Sequence, residues 1–237
     1  MIQASFIVPA LDEEKYIQSC LSSIVDQESY VDFEIIVVDG GSTDNTAKLA
    51  EKYADRVLKT DHRGVWLSRN RGAAKAKGQT LLFIDADTIL PRNYLEVAHA
   101  ILCDEEMSGL SCAFKFDRRS RSLKMIEDIA NDYLLAKSLV GQGELLGFNA
   151  AMSRADFHKV GGFPNAPLED GAMAKKLRKE GKLVYLPEPK VTTSSRRLRA
   201  GGVVSAIVYY ASLGLITDFP RSPIRRLMRY RDYVPVR

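Results

Sequence analysis

The chain has 237 residues, 46% of them hydrophobic and 27% charged, with a formal net charge of +4 at pH 7. That length carries a full α/β core, as one domain or as two closely fused halves. Three widely spaced cysteines, Cys20, Cys103 and Cys112, exclude a paired disulfide framework and offer no zinc clip, which fits a reducing cytoplasm. Met1 leads almost directly into apolar sequence, so no secretory leader is expected.

The first element is a strand, Ala4 to Val8, stopped where Pro9 removes a backbone donor and an open turn, Ala10-Leu11-Asp12-Glu13-Glu14, follows. Helical spacing of Tyr16, Ile17, Cys20, Leu21, Ile24 and Val25 comes next. A second strand, Phe33 to Val38, runs into Asp39-Gly40-Gly41-Ser42-Thr43-Asp44. Asp44 reads as a helix cap, whereas Asp39, leaving the strand, stands where α/β sheets bind ligands.

A helix from Val65 to Lys77 precedes the apolar run Leu81-Leu82-Phe83-Ile84, which ends at Asp85-Ala86-Asp87. Two carboxylates at a strand mouth repel each other unless one gains a proton or a cation joins them. Oxygen-only ligands suit Mg²⁺ or Mn²⁺, although Asp-x-Asp also occurs in ordinary turns. A boundary is expected near Cys103 to Gly109, dividing residues 1–105 from 106–200. Residues 118–139 read as a charged linker entering a helix, with Met125, Ile126, Ile129, Tyr133 and Leu134 on its apolar side.

The strings 5–14 (Ser-Phe-Ile-Val-Pro-Ala-Leu-Asp-Glu-Glu), 37–44 (Val-Val-Asp-Gly-Gly-Ser-Thr-Asp), Arg69-Asn70-Arg71-Gly72 and Asp85-Ala86-Asp87 resemble the family 2 glycosyltransferases. The resemblance continues through Gly147-Phe148-Asn149, the stretch 157–163 and Glu169-Asp170, and fades beyond about residue 197. It implies an α/β protein of GT-A fold: a three-layer α/β/α sandwich with a Rossmann-like nucleotide-binding half and a mainly parallel, mixed central sheet.

The same resemblance implies roles. Pro9, Ala10, Glu13 and Asp39 would hold the nucleotide base and ribose. Arg71 would approach the nucleotide or belong to a solvated helix face. Asp87 would ligate Mn²⁺ or Mg²⁺, with Asp85 on the ribose or a metal-bound water. Asp170 would be the general base of an inverting transfer, with Glu169 beside it, both acids also suiting a helix start. Gly147 and Asn149 would floor the sugar and acceptor site, with a buried structural asparagine as the alternative. Arg196 and Arg197 would clamp the diphosphate. Gly171-Ala172 follow the acid pair where the family carries larger residues, which implies a roomier acceptor site. His62, His99 and His158 lack ligand-like spacing.

Residues 196–237 carry nine arginines against Asp218 and Asp232, a net +7, which leaves −3 for the preceding 195 residues. Within this tail, 203–216 is continuous apolar sequence, too short to span a bilayer, which needs about 20 residues. Two readings stand: an interfacial membrane contact over 203–231, with Tyr209, Tyr210, Tyr230 and Tyr233 as anchors, or a core or dimer helix. Nucleic acid is not expected, since no zinc finger, helix-turn-helix or aromatic sheet signature is present. The expected partners are a nucleotide-diphosphate sugar, UDP favoured over GDP, and an acceptor for which a lipid-linked or polysaccharide molecule leads, with a protein or a small molecule left open. A sugar-1-phosphate nucleotidyltransferase would open with a glycine-rich, arginine-containing loop where Pro9-Ala10-Leu11-Asp12 stands. A non-catalytic sugar-nucleotide-binding protein is the third alternative, though every expected acid is present.

Overall fold

The computed structural model describes residues 1–61, 64–166, 168–196 and 198. The expectations for His62, Arg197 and the tail 201–237 lie outside the described residues. In chain order the elements are β1 (Ala4–Ala10), α1 (Ile17–Val25), β2 (Phe33–Asp39), α2 (Thr46–Ala50), β3 (Arg56–Lys59), α3 (Val65–Lys75), β4 (Thr80–Ile84), β5 (Thr88–Ile89), α4 (Tyr94–Leu102), β6 (Met107–Phe116), α5 (Arg121–Leu139), β7 (Asn149–Ser153), α6 (Arg154–Lys159), α7 (Glu169–Leu177) and β8 (Lys182–Thr193).

The strands form one mixed sheet in the order β3-β2-β1-β4-β7-β6-β8-β5. β3, β2, β1 and β4 run parallel, β7 lies antiparallel between β4 and β6, and β8 runs parallel to β6. Strands covered on both faces need apolar residues at every position, which is why β1, β2 and β4 are continuous apolar runs rather than alternating ones. Phe6, Val8, Val37, Leu82 and Ile84 face α1 and α4, while Ile7, Ile36, Val38, Leu81 and Phe83 face α3, α6 and α7. The result is three layers. On α3, Gly72 lets the helix press on β1, since a Cβ there would sit 2.4 Å from the Ile7 methyl.

Only Asp85, Ala86 and Asp87 separate β4 from β5, yet β5 pairs with β8 at the far end of the strand order. A link that short reaches roughly 14 Å at most, so the sheet has to curl back over its own middle. The curl brings the carboxyl end of β8, with Ser195 and Arg196 just after it, over the Asp85–Asp87 link.

Two expectations need correction. α5 forms as anticipated, but Met125, Ile129 and Tyr133 are exposed, and Leu123 and Glu127 are its buried residues. Polar side chains hold the inward face because they complete β6: Glu127 accepts from the Phe116 N–H, and Asn131 exchanges hydrogen bonds with the Phe114 N–H and carbonyl. β1, expected to stop at Pro9, runs on through it to Ala10; the second acid pair does open a helix, Glu169 and Asp170 lying in the first turn of α7.

Asn149 is fully buried, and its side-chain amide bridges the Cys112 N–H and carbonyl where the β6–β7 ladder ends. That is the structural alternative of the two readings. Asn149→Ala is therefore expected to orphan both Cys112 groups, at about 1–3 kcal/mol each. Urea unfolding checks this, and the lowered midpoint should come with an unchanged response to sugar nucleotides.

Candidate active site

The carboxyl ends of β1, β2 and β4 open on one edge. Pro9 and Ala10 stand in register with Val38 and Asp39, which puts the Ala10 end of β1 beside the Asp39 carboxylate. Asp39 is 3% exposed and accepts from the Ser42 N–H and hydroxyl. The turn after β1 is locked to the turn after β2. Asp12, at φ 53°, accepts from the Thr43 N–H, while the Glu13 N–H donates to the Thr46 hydroxyl at 2.7 Å. Asp44 accepts from the Thr46 N–H and hydroxyl and from the Glu14 N–H, and it stands one residue before Asn45, the N-cap of α2, instead of at the cap position expected of it. Partial burial pushes its carboxyl up, but these hydrogen bonds outweigh that and hold it below the usual range.

Two arginines knit the acids together. Arg69, on α3, is 2% exposed. One of its terminal nitrogens meets Glu169 at 2.6 Å, and the other meets both Asp85 and the Gly147 carbonyl at 2.9 Å. Its guanidinium lies 5.3 Å from the Phe163 ring centre, and its Nε has no hydrogen-bond partner among the described residues. Burial lowers the pKa of this guanidinium, but Asp85, Glu169 and Asp170 together raise it, so Arg69 is held charged. Glu169 is pushed up by burial, with Arg69 pulling against it and the neighbouring Asp170 charge adding to it.

Gly147 sits against this guanidinium because a Cβ there would be 2.6 Å from Nη2, and its N–H donates to Asp170 at 3.0 Å. Arg196 makes a two-pronged pair with Glu13, reaches Asp87 at 3.2 Å and lies 4.8 Å from the Tyr16 ring centre. Beneath the mouth, the Cys20 thiol is driven well up by burial and then by the charges of Asp87 and Asp85.

The fold therefore gathers Pro9, Ala10, Glu13, Asp39, Asp85, Asp87, Gly147, Glu169, Asp170 and Arg196 around one edge. Arg71 is exposed and, two positions on from Arg69, lies about 200° around α3 from it. The sequence marks Arg69 only as one member of the string Arg69-Asn70-Arg71-Gly72. The signal for it lay in its small neighbours: Ser68, Gly72 and Ala73, at the inward helical spacing, are all buried.

Among the described residues no cluster of three or more His, Cys, Asp or Glu is set out as a metal cage. Asp85 and Asp87 nevertheless offer an anionic, oxygen-only donor set at a cleft edge. That fits a hard divalent cation which takes its other ligands from water and phosphate oxygens.

Asp44 supplies a pH prediction. A carboxylate with a lowered folded pKa stabilises the fold fully above its unfolded value, near about 3.9, and loses that contribution as pH falls through the folded value. Wild type is expected to lose more stability than Asp44→Asn between about pH 5 and pH 2. Urea midpoints across that range test it, and parallel curves would contradict it.

The sequence profile of Glycosyl transferase family 2 matches residues 5–161. The poly(ribitol-phosphate) beta-N-acetylglucosaminyltransferase TarS of Staphylococcus aureus is 30% identical over 148 residues, 59% of this chain and 26% of TarS. A PGL/p-HBAD biosynthesis glycosyltransferase of Mycobacterium tuberculosis is 39% identical over 92 residues, 36% of each chain. This chain thus spans well under half the length of these relatives. Among solved structures, the mannosyltransferase PcManGT of Pyrobaculum calidifontis with GDP-Man and Mn²⁺ superposes with a TM-score of 0.69 at 23% identity, covering 88% of this chain and 64% of the other. S. aureus TarS 1-349 with UDP-GlcNAc gives 0.65 at 21% identity, covering 81% and 58%. Strand order, acid-lined mouth and sequence profile agree: the chain belongs to glycosyltransferase family 2 and has the GT-A fold.

Proposed function

We propose that the chain transfers a sugar from a nucleotide-diphosphate donor, UDP in preference to GDP, to an acceptor hydroxyl or phosphate with inversion at the anomeric carbon. The observation that carries this reading is the meeting at one charged arginine, Arg69, of Asp85 from the first half with Glu169 from the second, with Asp170 held beside them by the Gly147 N–H. Asp39 receives the base, its carboxylate accepting the imide N–H of uracil, with Pro9, Ala10 and Glu13 beside it. Asp85 approaches the ribose. Arg71, exposed on α3, is kept as an outer nucleotide contact only.

For a hydroxyl acceptor, Asp170 takes the proton as the acceptor oxygen bonds to the anomeric carbon. The bond from that carbon to the diphosphate oxygen breaks, and the nucleoside diphosphate leaves with the electron pair. Asp87 and Asp85 would hold Mn²⁺ or Mg²⁺, which when bound neutralises charge on the leaving diphosphate. Arg196, with Arg197 after it, supplies guanidinium groups for the diphosphate oxygens.

Gly147 lines the floor, where a side chain would intrude on Arg69. The acceptor is lipid-linked or a polysaccharide, and residues 203–231 provide a peripheral membrane contact at a cytoplasmic face. No helix among the described residues is long and apolar enough to cross a membrane. The relatives include proteins crystallised with UDP-GlcNAc, UDP-glucose and GDP-mannose, so the base is the part of the reading most in need of a direct test.

Thermal unfolding with UDP and GDP sugars, each with and without Mn²⁺, tests the donor side. Ligand at a hundred times its dissociation constant stabilises the folded state by about 2.7 kcal/mol. The shift is expected to need metal, to favour UDP and to vanish in Asp87→Ala, and no shift with any donor would contradict the reading. Asp170→Asn should keep the donor shift while lowering turnover by about 10²–10⁴-fold, the usual worth of a general base.

A further inference from the structure

Arg69, on α3, joins the two halves of the site with a single buried side chain, pairing with Asp85 on one side and Glu169 on the other. A buried ion pair is seldom a net gain in stability over apolar packing, so stability alone accounts poorly for a buried arginine with two carboxylate partners. What it does supply is geometry. One fork of the guanidinium holds Asp85 at the mouth of β4, and the other holds Glu169 in the first turn of α7. The fork on Asp85 also holds the Gly147 carbonyl, while the N–H of the same glycine holds Asp170. The chain of contacts Asp85, Arg69, Gly147, Asp170 therefore runs from the donor end of the site to the proposed base.

The adjacent Asn70 strengthens the tie. Its amide exchanges two hydrogen bonds of 2.9 Å with the Phe163 backbone, and the Phe163 ring packs against the Arg69 guanidinium. Arg69 and Asn70 thus fix α3 to Phe163 and Glu169, on either side of the connection that leads into α7.

We propose that Arg69 is a positioning residue for the transfer, setting the distance and direction between the donor-side carboxylate Asp85 and the base Asp170 through its fork and through Gly147. This rests on the transferase reading above. Its content is that the guanidinium's shape, and not its charge alone, is required: lysine carries the charge but cannot hold three acceptors in a plane.

The test uses release of UDP or GDP from UDP-GlcNAc, UDP-glucose and GDP-mannose with Mn²⁺, water serving as acceptor, in the full chain. Arg69→Lys is expected to lower kcat about a hundredfold, the scale of a misplacement of about 1 Å. KM for the donor is expected to rise by no more than about tenfold and the donor-induced shift in unfolding temperature to persist, because Asp39 and Asp87 keep their places while Asp85 loses its tether.

Gly147→Ala removes no charge but displaces the guanidinium, and should give the same split between kcat and KM. It also decides the matter should Arg69→Lys not fold. Full kcat in a folded Arg69→Lys or Gly147→Ala would overturn the assignment alone. A wild type that releases nucleotide from none of the donors would overturn the transferase reading, and the assignment with it.

Discussion

A guanidinium taken out of water costs several kcal/mol unless anions and carbonyls surround it. Arg69 meets that condition with Asp85, Glu169 and the Gly147 carbonyl, and each of those partners comes from a different part of the chain. The dependence runs both ways. Asp85 and Glu169 tolerate their crowding near Asp87 and Asp170 because a fixed positive charge lies between them, and Arg69 stays charged because of their field. Arg196 repeats the arrangement on the outer side with Glu13 and Asp87. The mouth is thus a cluster of carboxylates held in place by two arginines and open towards solvent, a setting suited to phosphate and a divalent cation.

The fold makes this cluster possible through a non-local device. β7 enters antiparallel beside β4, which delivers Gly147 to the end of the strand that carries Asp85. The curl that pairs β5 with β8 then lays Arg196 over Asp87. Both tie residues from beyond 140 to the first ninety, so the two expected halves share one sheet and one site.

What could be read from the sequence follows from what is local. β1, β2 and β4 declare themselves because a doubly covered strand must be apolar throughout and the acids mark where cover ends. Asp44 is legible as an acid near a helix start for a similarly local reason, though it stands one position before the cap. The inward face of α5 was not legible. Glu127 and Asn131 look solvent-seeking until one knows that β6 has backbone groups there to be satisfied. Arg69 was hidden by the ordinary habit of helical arginines to face water, and Asn149 by having two plausible uses for one amide. Strand order could not be read at all, since the β5–β8 pairing joins residues over a hundred positions apart.

The proposed transfer requires this mouth to bind a nucleotide-diphosphate sugar with its anomeric carbon turned to Asp170. A crystal structure of the full chain with UDP-GlcNAc and Mn²⁺ tests it most directly. The base is expected against Asp39, the diphosphate at Asp87 and Arg196, and the sugar over Gly147 facing Asp170. A nucleotide bound away from Asp39 and Asp87, or a sugar turned from Asp170, would contradict it.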